Sequence, residues 1–62
     1  MTLAVGARVT MTAFGRASAK RRDVSDAPGI VLDTRREHVY VHQATGVILW
    51  WPRRAWTLEV RA

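Results

Sequence analysis

Residues 38–52 read HVYVHQATGVILWWP, and this stretch decides the fold class. In His38 to His42, valines alternate with His and Tyr, which is the period-two pattern of a β-strand with one buried face. A polar turn follows, and Val47 to Trp51 is a second strand. Pro52 has no N–H to donate to a ladder, so it ends that strand. The stretch predicts two strands joined by a tight turn in an all-β domain.

Before and after this pair of strands, the sequence predicts three more strands. Val5 to Thr12 alternates, Gly29 to Asp33 is short and apolar, and Trp56 to Val60 closes the chain. Thr34 to Glu37 is a polar turn. Pro52 to Ala55 has the length of one helical turn, with Pro at its start, where that residue is favoured.

The segment between the first two strands has a different composition. Phe14 and Gly15 end the first strand, and Arg16 to Arg22 is basic and lacks large apolar residues. A short helix over Ala17 to Arg22 is compatible with this composition and a strand is not. We expect one long solvated loop over Arg16 to Pro28, which is functional or mobile because long loops are unusual in compact domains.

Length and composition limit the architecture. The 62 residues make one domain, 1–62, and there is no cysteine for a disulfide or thiolate metal site. A chain this short has a thin core. Closing five strands into a barrel would hide the sheet edges. We therefore expect a five-stranded barrel with a long first loop and one helical turn before the last strand.

Three segments carry a resemblance to the SH3-like barrel: 5–9 (VGARV), 29–31 (GIV) and 51–56 (WPRRAW). They resemble small barrels of the KOW and Tudor type, and short SH3-like proteins of phages and mobile elements. The resemblance implies an SH3-like fold and says little about activity.

Residues 46–55 also resemble the plasmid-borne type II dihydrofolate reductases, whose SH3-like subunits form a tetramer around a central pore. That family has a catalytic Val-Gln-Ile-Tyr run, where this chain has ILWW at 48–51. Leu49 replaces the Gln and Trp51 replaces the Tyr, so the hydrogen bonds to cofactor and substrate are lost. We predict that the protein is not an enzyme, has no catalytic residues and needs no cofactor.

The sequence gives little support for a metal site, a catalytic nucleophile or a membrane span. His38 and His42 start about 13 Å apart along a strand, too far to chelate one metal ion. Ser18 and Ser25 have no histidine close in sequence, so we predict neither a nucleophile nor a metal site. No apolar stretch approaches the roughly 20 residues of a membrane span. The lack of cysteine fits a cytoplasmic protein.

The stronger signal is positive charge. Ten Lys and Arg oppose five Asp and Glu, a formal net charge of +5, which favours an acidic partner. Cations in turns suit phosphate contact, and Tyr40 or a tryptophan can stack on an unpaired base. The first functional hypothesis is thus a nucleic-acid-binding module. Its candidate residues are Arg16, Lys20, Arg21, Arg22, Arg35, Arg36, Arg53, Arg54 and Tyr40.

The Val47 to Trp51 strand is apolar on both faces, which a single thin barrel does not require. Either the long loop covers Ile48 and Trp50, or the outer face is a contact for a protein partner or a second copy, as in a self-assembling or phage-associated module. Candidate contact residues are Ile48, Trp50, Trp51 and Trp56. A third use is an aromatic cage of Tyr40 and tryptophans for a methylated cation.

Overall fold

The computed structural model describes residues 3–59. These form one antiparallel five-stranded sheet with strand order β4-β3-β2-β1-β5. One α-helix and one 3₁₀ turn complete it. In chain order the elements are β1 (Arg8–Met11), α1 (Ala13–Arg22), β2 (Gly29–Thr34), β3 (His38–Gln43), β4 (Ile48–Pro52), the 3₁₀ turn (Arg53–Ala55) and β5 (Trp56–Leu58).

The pairing of β3 with β4 confirms the alternation predicted from the sequence. The pairs that face the core are Val39–Trp51 and Val41–Leu49. The pairs that face outward are His38–Pro52, Tyr40–Trp50 and His42–Ile48. Because β4 is an edge strand of the sheet, Pro52 at its end removes no hydrogen bond from a neighbouring strand.

Strand β2 lies in the middle of the sheet and pairs with both β1 and β3. Its register against β3 shifts between Val31 and Asp33, which is a β-bulge. A bulge bends a strand and increases its twist. Val31 is buried, and Leu32 at the bulge is exposed to solvent.

The core lies on the inner side of the sheet, and two tryptophans are its largest members. Trp51 and Trp56 are 0% and 3% exposed, and their rings meet edge to face at 5.7 Å. Both were candidate contact residues in the sequence, and in the folded monomer both are buried, so a partner contact through them stays a prediction. Trp51 has the inward parity of β4, and Trp56 pairs with the buried Met11. The other buried apolar residues are Leu3, Val9, Met11, Ala19, Val31, Val39, Val41 and Ala55.

The expected long loop over Arg16 to Pro28 is wrong in its first half, because α1 occupies Ala13–Arg22. The helix begins at Thr12, whose hydroxyl accepts a hydrogen bond from the Gly15 N–H at 3.1 Å and donates one to the Arg54 carbonyl at 2.7 Å. It ends at Asp23, which has a left-handed φ of 56°. The fold is therefore mostly strands with one helix, rather than all-β.

Helix α1 buries a face of small residues, namely Gly15, Ser18 and Ala19. A methyl group on Gly15 would overlap with the carbonyl oxygen of Ala55, so the helix lies directly on the 3₁₀ turn. Contact at such short range needs small side chains rather than large apolar ones. For this reason the apolar pattern gave no sign of the helix.

The first strand is shorter than expected, because residues 4–7 form a turn. The Ala7 N–H donates to the Ala4 carbonyl at 3.0 Å, and Gly6 has a φ of 89°, as in a type II turn. Val5 is consequently 63% exposed and does not join the core. At the other end, β5 ends at Leu58, so Glu59 of the expected last strand is not part of it, and Val60 lies outside the described residues.

Candidate functional site

The tertiary structure brings together two arginine pairs that are far apart in sequence. Arg35 and Arg36 lie in the turn between β2 and β3, and Arg53 and Arg54 lie in the 3₁₀ turn. The Arg53 guanidinium joins the two turns. Its Nε donates to the carbonyls of Arg35 and Arg36 at 3.0 and 2.9 Å, and its Nη2 donates to the Arg35 carbonyl at 2.6 Å. These bonds fix the β2–β3 turn against the end of β4.

A groove of about 490 Å³ lies between these turns, and we call it the basic groove. It has three arginines and one acidic side chain, so its charge is positive. The groove is lined by Arg36, Glu37, His38, Pro52, Arg53 and Arg54. Because guanidinium groups present planar forks of N–H donors, such a groove suits phosphate or carboxylate oxygens.

Neighbouring groups hold two of the three arginines of the groove in place, Arg53 and Arg54. The guanidinium carbon of Arg54 lies 4.4 Å from the centroid of the Phe14 ring, so a residue of α1 supports it. Arg53 is held by the backbone carbonyls of the opposite turn. Arg36 is exposed to solvent. A site whose charges are already positioned loses little side-chain entropy when it binds an anion.

An aromatic pair lies next to the basic groove on the outward side of β3 and β4. The rings of Tyr40 and Trp50 stack with centroids 4.8 Å apart and an angle of 30° between their planes. The guanidinium carbon of Arg35 lies 5.0 Å from the Trp50 ring centroid. His38 and Pro52 form the next outward pair along the ladder and also line the groove. The groove and the aromatic pair are thus neighbours.

The outward side of the sheet also carries exposed aliphatic residues. Ile30, Leu32 and Ile48 are 43%, 40% and 41% exposed. Ile30 and Ile48 are aligned on either side of His42 in the register of the three strands. We define the outer face as Ile30, Leu32, Tyr40, His42, Ile48 and Trp50. The sequence prediction of Ile48 and Trp50 as outward residues is confirmed.

The basic residues predicted in the long loop are distributed around α1 instead. Arg22 faces the sheet: its Nη1 donates to the Trp50 carbonyl at 3.3 Å, and its guanidinium lies over the Trp51 ring. Arg16 is 4.0 Å from the carboxylate of Asp26. Lys20 and Arg21 are exposed in the last helical turn, where positive charge stabilises the helix dipole. A regular helix, rather than a flexible turn, carries these four cations.

Several residues of the site escaped the sequence reasoning. His38, Glu37 and Pro52 line the groove, and their position beside the two arginine pairs in sequence was a usable signal. Phe14 supports Arg54 only because α1 packs on the 3₁₀ turn, which no local pattern indicates.

A second, smaller cavity of about 250 Å³ lies at the other end of the sheet. Arg8 and Glu59, which form an ion pair at 3.8 Å, line it together with Ile30 and His42. Buried Gln43 is beside it and donates from Nε2 to the carbonyls of Ser25 and Ala27 at 2.7 and 3.2 Å. These bonds fasten the α1–β2 connection to β3.

Residues 3–59 hold neither a metal site nor a membrane-spanning helix. No group of three or more His, Asp or Glu side chains in this range is placed to hold a metal ion. Within the same residues no helix has the length and apolar character needed to cross a membrane.

No protein-family model matches this chain, and no curated protein or solved structure shows a significant match to it.

Proposed function

We propose that this protein is a non-enzymatic module that binds nucleic acid, with the phosphate backbone held in the basic groove. The observation that carries the proposal is the meeting of Arg36 with Arg53 and Arg54 at one groove, where the β2–β3 turn lies against the 3₁₀ turn. Phosphate contact by Arg is independent of base sequence and releases counterions, so it is sensitive to salt. The formal net charge of +5 would also speed encounter with a polyanion.

The test is fluorescence anisotropy of labelled DNA and RNA at low salt, repeated over a salt series. We expect micromolar or tighter binding, with log Kd rising linearly with log salt concentration. Arg36→Ala should weaken binding and lower the slope by about 0.7 to 0.9, the effect of one phosphate contact.

The matched control is Arg8→Ala, which removes the same charge from an exposed arginine outside the groove. It should have a much smaller effect on binding than Arg36→Ala. Equal effects of the two variants, or binding that does not respond to salt, would contradict the proposal.

For the fold, we propose an SH3-like barrel. Strand β1 lies between β2 and β5, β2 is bent by a bulge, and a single helical turn precedes β5. These features support the resemblance found in the sequence. A solution structure by NMR in which β2 runs straight and the sheet stays open would exclude the barrel.

We expect the protein to have no dihydrofolate reductase activity. At the position of the family's catalytic Tyr, this chain has Trp51, which is 0% exposed within the core. Its indole has no route to a substrate in the folded monomer. An assay with dihydrofolate and reduced nicotinamide cofactor should give no turnover, and measurable turnover would overturn this prediction.

A cytoplasmic location stays a prediction.

A second candidate function is self-association through the outer face, and the exposed aliphatic residues favour it. Ile48→Glu should then convert a dimer into a monomer in light scattering at high concentration. Val5→Glu is the matched control, because Val5 is 63% exposed and lies outside that face. A wild-type protein that stays monomeric throughout would exclude this function.

A further inference from the structure

We infer that the basic groove takes a single strand rather than a duplex, and that a base of this strand stacks on Tyr40. This inference rests on the nucleic-acid binding proposed above. It adds a second contact, made to bases, and so names the class of nucleic acid.

The register of β3 and β4 places the aromatic pair beside the basic groove. His38 and Pro52 line the groove, and Tyr40 and Trp50 are the next outward pair of the same ladder. The two pairs are separated by about 7 Å along the strands. A strand whose phosphates lie in the groove therefore brings its bases to the outer face beside Tyr40.

The two rings of the aromatic pair differ in their neighbours. Trp50 is contacted by the Tyr40 ring and by the Arg35 guanidinium. These contacts leave Trp50 as support and make Tyr40 the ring that receives a base. Tyr40 is half-buried, and exposed His38 and His42 flank it on the same side of β3. Aromatic and His side chains on a strand are typical platforms for unpaired bases.

A duplex cannot make the second contact, the stacking of a base on Tyr40. Sequence-independent duplex binding through the groove would use the arginines alone, because paired bases are stacked inside the helix and offer no free face to Tyr40. Base readout in a duplex needs a helix or ribbon that enters the major groove. Among residues 3–59 α1 is the only α-helix. Its Arg22 is held on Trp50 and Trp51 and its Arg16 is paired with Asp26, so of its cations Lys20 and Arg21, both in the last turn, are left to contact a duplex.

The experiment compares three labelled ligands of equal length at one salt concentration: a pyrimidine strand of roughly ten nucleotides, its duplex, and a strand of abasic sites. Wild-type protein should bind the pyrimidine strand about tenfold more tightly than the other two. Tyr40→Ala should lose this advantage, with the salt slope unchanged, since no phosphate contact is removed. Tyr40→Phe keeps the ring and should bind like wild type.

Circular dichroism checks that both Tyr40 variants fold. If Tyr40→Ala does not, the comparison of the pyrimidine and abasic strands on wild-type protein decides the inference. Equal, salt-sensitive affinity for all three ligands would overturn the inference and leave the proposed function standing. Absence of salt-sensitive binding to any ligand would overturn both. A dimer that covers Tyr40 and binds strand and duplex equally would also overturn the inference.

Discussion

The guanidinium carbon of Arg22 lies 4.5 Å from the centroid of the Trp51 ring, at the C-terminal end of α1. The same guanidinium donates to the carbonyl of Trp50 at 3.3 Å. Trp50 lies on the edge strand β4, so Arg22 occupies a backbone group that a foreign strand would need in order to pair with this edge. One arginine thus covers the largest core residue and part of the sheet edge.

Arg22→Ala should lower the free energy of unfolding by about 1 to 3 kcal/mol, because it removes the cation–π contact and the hydrogen bond to Trp50. Arg21→Ala is the matched control. It removes the same charge from the same helical turn, and it should lose only the dipole contribution of about 0.3 to 1 kcal/mol. Urea unfolding followed by tryptophan fluorescence measures both. If the two variants lost equal free energy of unfolding, the contact of Arg22 with Trp51 would contribute nothing to stability.

Gly15→Ala should destabilise the protein, although alanine favours helices by about 1 kcal/mol over glycine. The new methyl group would meet the backbone carbonyl of Ala55, which has little freedom to move. Overpacking of this kind costs about 1 to 3 kcal/mol, so we expect a net loss. Thermal unfolding by circular dichroism gives the result. A gain in stability, as at an exposed helical glycine, would mean that α1 does not lie against the 3₁₀ turn.

Gln43→Glu should destabilise more than Gln43→Met. Gln43 is buried and its Nε2 donates to the carbonyls of Ser25 and Ala27, whereas an ionised carboxylate would place negative oxygens against them. We expect a loss of about 3 kcal/mol or more for Glu at neutral pH and about 1 to 3 kcal/mol for Met. Chemical unfolding of both variants at pH 7 tests the order.

The stability of Gln43→Glu should also depend on pH. Burial and the facing carbonyls would raise the pKa of the introduced carboxyl in the folded protein above its unfolded value. The folded state then binds the proton more tightly, so the free energy of unfolding rises as pH falls through the folded pKa. Gln43→Met should not show this rise relative to wild type. Parallel pH profiles for the two variants would contradict the orientation assigned to the amide.

Arg53→Ala should affect both stability and binding, because its side chain joins the two turns of the groove. Losing charged hydrogen bonds to the carbonyls of Arg35 and Arg36 should cost about 1.5 to 3 kcal/mol. Arg36→Ala removes the same charge from an exposed position and should change stability by less than about 0.5 kcal/mol. Urea unfolding compares the two. If Arg36→Ala lowered the free energy of unfolding as much as Arg53→Ala does, the structural role given to Arg53 would be wrong.

The sequence determined the approximate places of the strands, although the first is shorter than expected because residues 4–7 form a turn. Alternation in β3 and β4 set which residues share a side of the sheet, because side chains of a strand point to opposite sides in turn, but the apolar run of β4 did not set which of its sides faces the core. Pro52 marked the end of β4, and the helical turn before the last strand was predicted at its observed place. All of this information is local, carried by neighbouring residues.

Only the tertiary structure decided the extent of the helix, the core position of the tryptophans and the meeting of the two arginine-bearing turns. The sequence predicts a loop where α1 lies, and a short helix over Ala17 to Arg22 is only compatible with the composition. The buried face of α1 has small residues and Gly15 argues against a helix, while the Thr12 cap is a further local signal. Trp51 and Trp56 were placed in the core by register and packing. The convergence of the arginine pairs, on which the proposed function depends, arises where the β2–β3 turn meets the 3₁₀ turn. Such contacts join residues that are distant in sequence, so no local pattern encodes them.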